Sequence, residues 1–155
     1  MLVTQDILEQ EVLQEAFKAQ ADFKRNGYIE TQVLIFRSDM TQSATVQISE
    51  SIDNPGPFCQ ILKNMVKQER PEAVLIIYQT EVTVNYSGVD SVTESPRNPK
   101  KKMIIRIEAS SPVANYELVL VYRKQEDQYV LEYDVYVPAE RGGCEHTRDL
   151  WGSVN

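Results

Sequence analysis

Apolar residues recur at spacings of three and four from Leu8 to Phe23, and at spacings of two through much of the chain that follows. The first period belongs to a helix and the second to strands. Leu8, Val12, Ala16, Ala19 and Phe23 form the helical stripe, with Leu13 and Phe17 widening it. Gln10, Glu11, Gln14, Lys18 and Asp22 fall on the side expected to face water. Asp6 and Glu9 have the spacing of a capping box, with Thr4 as a competing cap. Lys24 and Arg25 suit the negative end of the helix dipole, and Gly27 can take the left-handed geometry that stops a helix.

Two strands follow. Thr31, Val33 and Ile35 alternate with Glu30, Gln32 and Leu34, and Ala44, Val46 and Ile48 alternate with Thr45, Gln47 and Ser49. The polar stretch at 38–42 between them makes a hairpin the simplest connection. Asp53-Asn54-Pro55-Gly56-Pro57 punctuates the chain and leads into a second helix, with Pro57 in the first turn, where a missing N–H costs nothing. Phe58, Ile61, Leu62, Met65 and Val66 form its apolar face, and Pro71 ends it near Arg70.

Ala73 to Tyr78 is apolar on both faces, the mark of a central strand covered on each side. From Gln79 to Tyr86 the pattern alternates, Val82, Val84 and Tyr86 against Glu81, Thr83 and Asn85. Ser87 to Lys102 reads as a long polar loop, of the kind that is functional or mobile. Met103–Ala109 and Tyr116–Lys124 read as strands, and the latter pairs with Tyr129–Val137 across Gln125-Glu126-Asp127-Gln128.

The sum is one α+β domain over residues 1–155, in the order αββαββββ: a mostly antiparallel sheet of about six strands with two helices on one face. Leu8, Val12, Ala16 and Phe23 should meet Phe58, Ile61, Leu62 and Met65 over that sheet, leaving its other side bare. Residues 138–155 read as a loosely structured C-terminal tail.

Val74-Leu75-Ile76-Ile77-Tyr78-Gln79-Thr80-Glu81, followed by Glu94-Ser95-Pro96-Arg97-Asn98-Pro99-Lys100, resembles a poorly characterised family of bacterial and phage-associated proteins. In those proteins a strand ends in Glu, usually followed by Ala and Trp, and then a Ser/Pro/Asp/Arg loop. Here Val82 and Thr83 follow the Glu, and Asn98 and Lys100 stand in place of acids. The resemblance implies an α+β fold and brings no activity with it.

Composition narrows the classes. An apolar fraction of 42% beside a charged fraction of 25% is that of an ordinary folded domain. A formal charge of -7 argues against nucleic acid as a partner, because phosphate binding needs clustered Lys and Arg. The first seventeen residues carry neither a basic start nor a continuous apolar run, so no secretion signal is read, and no run is long enough to cross a bilayer. Two cysteines, Cys59 and Cys144, form no disulfide framework and suit a reducing compartment, so a cytoplasmic protein is expected.

Candidate chemistry is sparse. Glu81, where an apolar strand turns amphipathic, is a candidate base if partial burial raises its pKa, and an edge Glu paired with Lys or Arg otherwise. Cys144, His146 and Asp149 are the one cluster of possible metal ligands, without the second ligand pair that a zinc site uses. Cys59 near a helix start would need His146 from the far end of the chain to act as a nucleophile. Lys100-Lys101-Lys102 with Arg97, and Lys63, Lys67 and Arg70, are the basic concentrations. Seven tyrosines sit on the strands, where several could line one exposed face, and Trp151 could fold back onto the domain or anchor in a partner.

No cofactor is implied. The expected function is that of a non-enzymatic interaction or accessory protein that self-associates, with an unknown protein as a further partner. The alternative is a small enzyme or ligand-binding domain using Glu81 near the 87–102 loop, with Arg97 or Arg106.

Overall fold

The computed structural model describes residues 3–37, 42–47, 55–84 and 100–138, together with Thr147, Leu150 and Trp151. Helix α1 spans Gln5–Asn26, and α2 spans Pro55–Glu69. The strands are β1 (Gln32–Phe36), β2 (Gln42–Gln47), β3 (Ala73–Val84), β4 (Lys100–Ser110), β5 (Asn115–Gln125) and β6 (Gln128–Pro138). They form one sheet in the order β2-β1-β3-β4-β5-β6, with every neighbouring pair antiparallel.

Thr4 takes the N-cap position of α1 in extended geometry, without a side-chain cap hydrogen bond. Gly27 stops the helix at φ 78°, its N–H donating to the Phe23 carbonyl at 2.8 Å. Leu8, Val12, Ala16, Ala19 and Phe23 are buried as their spacing requires. Two positions depart from the expected stripe. Phe17 is 75% exposed, and Glu15 is buried, its carboxylate 3.2 Å from the Lys18 ammonium.

The two helices lie on opposite faces of the sheet, which corrects the expectation of a shared face. Leu8, Val12 and Phe23 pack with Leu34, Leu75, Ile77, Ile105, Ile107, Leu118 and Leu120. Phe58, Leu62 and Val66 of α2 pack instead with Val33, Ile35, Val74, Ile76 and Tyr78. Strand alternation supplies the reason, since successive residues of β1 and β3 point to opposite sides and are apolar in both registers. α2 also connects β2 to β3, which lie parallel to each other on either side of β1. Its side is thus chosen by the handedness of that crossover and not by α1.

Lys100, Lys101 and Lys102 belong to β4, opposite Val84, Thr83 and Val82, and not to a solvated loop. The β5–β6 turn is also tighter than the four-residue loop expected, because Gln125 pairs with Gln128 and leaves Glu126 and Asp127 as the turn. At the other end of the chain, Leu150 is buried in the α2-side core. The Trp151 indole N–H donates to Ser110 Oγ at 2.7 Å. Of the two roles open to Trp151, folding back onto the domain is the one observed.

Candidate functional site

An open groove of about 660 Å³ separates the C-terminal half of α1 from the β5–β6 hairpin. Its floor is aromatic. The Phe23 ring lies 4.6 Å from that of Tyr122 and 5.3 Å from that of Tyr129, both tilted by about 50°, a favourable arrangement for ring quadrupoles. Burial pushes the Tyr122 phenol above its ordinary pKa, so this tyrosine stays neutral across the physiological range.

An irregularity in β6 shapes the hairpin wall. Val121 faces Tyr133 and Tyr122 faces Leu131, so Glu132 is the extra residue of a bulge. The register on the hairpin side sets Leu131 and Tyr129 beside the groove, opposite Tyr122 and Lys124. Glu132 turns to the other face, where its carboxylate lies 2.6 Å from the Lys102 ammonium.

Exposed apolar surface gathers here. Among the described residues, the large apolar side chains left exposed are Phe17, Tyr28, Val113, Tyr129, Val130 and Leu131. Tyr129 and Leu131 line the groove, Tyr28 follows the lining residue Gly27, and Phe17 stands one helical turn before the lining residue Ala21. Val130, opposite Arg123, alternates to the other face, and Val113 lies elsewhere. Single exposed apolar residues need no explanation, but a contiguous set beside a recess marks a contact surface. The groove's charged members are Lys24 and Asp127, of opposite sign, so it carries no share of the chain's net charge of -7.

A second concentration of chemistry lies on the α2 side of β3–β5. Glu108 is fully buried and sits directly opposite Glu117 across the β4–β5 ladder, an arrangement that repels. Arg106, two residues along the same face, relieves it, with its Nε 2.9 Å from the Glu117 carboxylate. Burial opposes the charge on Arg106, but Tyr78, Glu117 and Glu108 more than offset this and raise its pKa. Burial, reinforced by the negative charge of Glu108, pushes the Tyr78 phenol far above its ordinary value. Arg106 offsets one of the two carboxylate charges and ties the group into a structural network.

The residues singled out from sequence fare unevenly. Glu81 is exposed on the α1 side of the sheet opposite Met103, so the burial on which its reading as a base depends is not met, and it does not line the groove. Cys144, His146, Asp149 and Arg97 lie outside the described residues, as does most of the 87–102 loop. Among the described residues no group of three or more His, Cys, Asp and Glu side chains could hold a metal ion. Cys59 is half-buried on α2.

The tyrosines whose side chains are described do not all share one face either. Tyr116 and Tyr122 pack on the α1 side, and Tyr78 packs on the α2 side. Residues 20–28 and 122–131, which build the groove, carried no chemical motif. The one sequence signal near them is an apolar pair one to two turns earlier on α1, Leu13 and Phe17, set off to the side of the main helical stripe.

No protein-family model, curated protein or solved structure matches the chain. No helix among the described residues is long and apolar enough to cross a membrane.

Proposed function

We propose that this chain is a non-enzymatic interaction protein that self-associates, and that its contact surface is the apolar patch around the groove between α1 and the β5–β6 hairpin. The observation carrying this reading is the clustering of Phe17, Tyr28, Tyr129 and Leu131 about one recess. Depletion of net charge at the centre of the patch and its aromatic content are what a protein-binding surface requires. The acid–base alternative built on Glu81 loses its main condition through that residue's exposure. A chain of only two cysteines suits a reducing, cytoplasmic setting.

Amide hydrogen exchange of the full chain at low and high protein concentration tests the reading. Segments 17–28 and 122–131 should gain protection as concentration rises, while α2 does not change. Concentration-independent exchange in both segments would remove the patch as a contact surface.

A further inference from the structure

We infer that the occupant of the groove is Phe17 of a second copy, brought there by antiparallel packing of α1 against its own counterpart about a two-fold axis between Gln20 and Ala21. The inference rests on the interaction reading above and specifies the partner and geometry of that same surface.

The first support is the composition of the exposed stripe. Residues 10, 13, 14, 17, 20, 21 and 24 recur at helical spacing and read Gln, Leu, Gln, Phe, Gln, Ala and Lys, with a single charge at the end. The charged residues of the middle of α1 lie on its other flank, where Lys18 pairs with Glu15 and Arg25 with Asp22, each at 3.2 Å. A solvated helix face ordinarily carries charges of that kind. A seam that meets its own copy does better without them, because like would face like across the axis.

The second support is shape. The same stripe carries both a projecting group and a recess. Phe17 protrudes with three-quarters of its surface in water, and one to two turns further on Ala21 and Lys24 form a wall of the groove. A two-fold axis between Gln20 and Ala21 sets residue 17 of one copy opposite residue 24 of the other. It likewise sets Leu13 opposite Tyr28, which is the second exposed aromatic of this end of the helix. The short Ala21 side chain at the crossing point lets the two helices approach closely. Each Phe17 then lies over the aliphatic stem of Lys24 and against the Phe23–Tyr129 floor, and the contact occurs twice by symmetry.

Sedimentation of the full chain should show a dimer, and Phe17→Glu should weaken it roughly 100-fold or more, since a central aromatic anchor is lost twice per dimer. With both proteins diluted until monomeric, the circular dichroism and melting temperature of the variant should match the parent's, because the ring is not part of the core. Independently, Ala21→Cys in a background of Cys59→Ser and Cys144→Ser should cross-link to its own copy on mild oxidation, the two positions meeting at the axis.

A parent chain that stays monomeric at every concentration overturns the inference. A dimer that withstands Phe17→Glu and resists cross-linking at Ala21, while still protecting residues 122–131 from exchange, overturns the geometry and leaves the interaction reading standing. A dimer that protects neither segment overturns both.

Discussion

The two faces of this sheet are built by different means. On the α1 side, four strands from β1 to β5 present an unbroken apolar surface, Leu34, Leu75, Ile77, Ile105, Ile107, Leu118 and Leu120. On the α2 side the apolar surface of β1 and β3 gives way on β4 and β5 to a mixed one, where Lys102, Arg106, Glu108 and Glu117 stand among the buried Ile104 and Val121. Stability on the first face is a matter of volume and area removed from water. On the second it depends on every buried charge keeping its partner. The exposed apolar patch lies on the first face, beside the end of α1 and the β5–β6 hairpin.

The largest expected effect breaks the ionic face. Arg106→Leu leaves Glu108 and Glu117 facing each other without their shared cation, and it should cost about 3–5 kcal/mol in urea unfolding. Ile107→Ala, its neighbour pointing to the apolar face, should cost about 2–5 kcal/mol through the cavity it leaves. Changing partners separates two losses of similar size. Replacing Arg106, Glu108 and Glu117 together by Leu should recover most of the first loss, because no charge is then stranded. No remote substitution should recover the second. A triple variant as unstable as Arg106→Leu would mean that the network contributes packing and not charge balance.

Alkaline pH probes the same contrast less severely. The Tyr78 phenol is pushed above its ordinary value of 10.0 by burial and by Glu108, and Tyr122 on the opposite face is raised by burial alone. The folded protein therefore keeps both protons where the unfolded chain gives them up. Stability should be undiminished by these groups below about pH 10 and should fall as the pH climbs beyond it. Tyr78→Phe should make that fall shallower while leaving the share due to Tyr122, as read from chemical unfolding at pH 8 and pH 11. An unchanged alkaline limb would show that Tyr78 loses its proton as easily in the fold as out of it.

Part of this architecture was legible in the residues. Ala73 to Tyr78 is apolar in both alternating registers, and a strand of that kind must be covered twice. The same six residues that predict a central strand thus also predict helices on both sides, in place of the one-face arrangement. Other features had no local signal. The bulge at Glu132 turns one strand's alternation over midway, and no glycine or proline inside β6 marks it. Phe17 looks like a core residue because it lies four positions after Leu13, and only the position of β5 and β6 leaves it in water. The groove is legible least of all, since it joins segments a hundred residues apart through ordinary side chains.

A smaller effect concerns how the α2 face is closed at its edge. The Trp151 N–H donates to Ser110 Oγ, which in turn donates to Asn115 Oδ1 at 2.7 Å, so the C-terminal segment is tied to the β4–β5 turn by a short polar chain. Trp151→Phe should lower stability by about 1–2 kcal/mol, one hydrogen bond and a little apolar contact. Ser110 retains Asn115 and is not stranded. A loss several times larger would mean that the tail organises the ionic face instead of merely covering its margin.

The smallest effect distinguishes the two helix ends. α1 stops at Gly27 in left-handed geometry, a conformation that costs glycine nothing. α2 stops in the same way at Arg70, φ 47°, whose N–H donates to the Val66 carbonyl at 3.0 Å, although arginine has a Cβ that crowds this conformation. Pro71 bars the helix from continuing, so Arg70 has to absorb the turn. Arg70→Gly should therefore stabilise the protein by about 0.5–1 kcal/mol, the relief of strain exceeding the extra freedom glycine gives the unfolded chain. Gly27→Ala should destabilise by a similar amount, since it imposes on α1 the strain that α2 already bears. Opposite signs from the paired substitutions, read as shifts of the urea midpoint, are the expected result. A destabilising Arg70→Gly would show that the arginine side chain contributes more at the α2 end than its backbone costs.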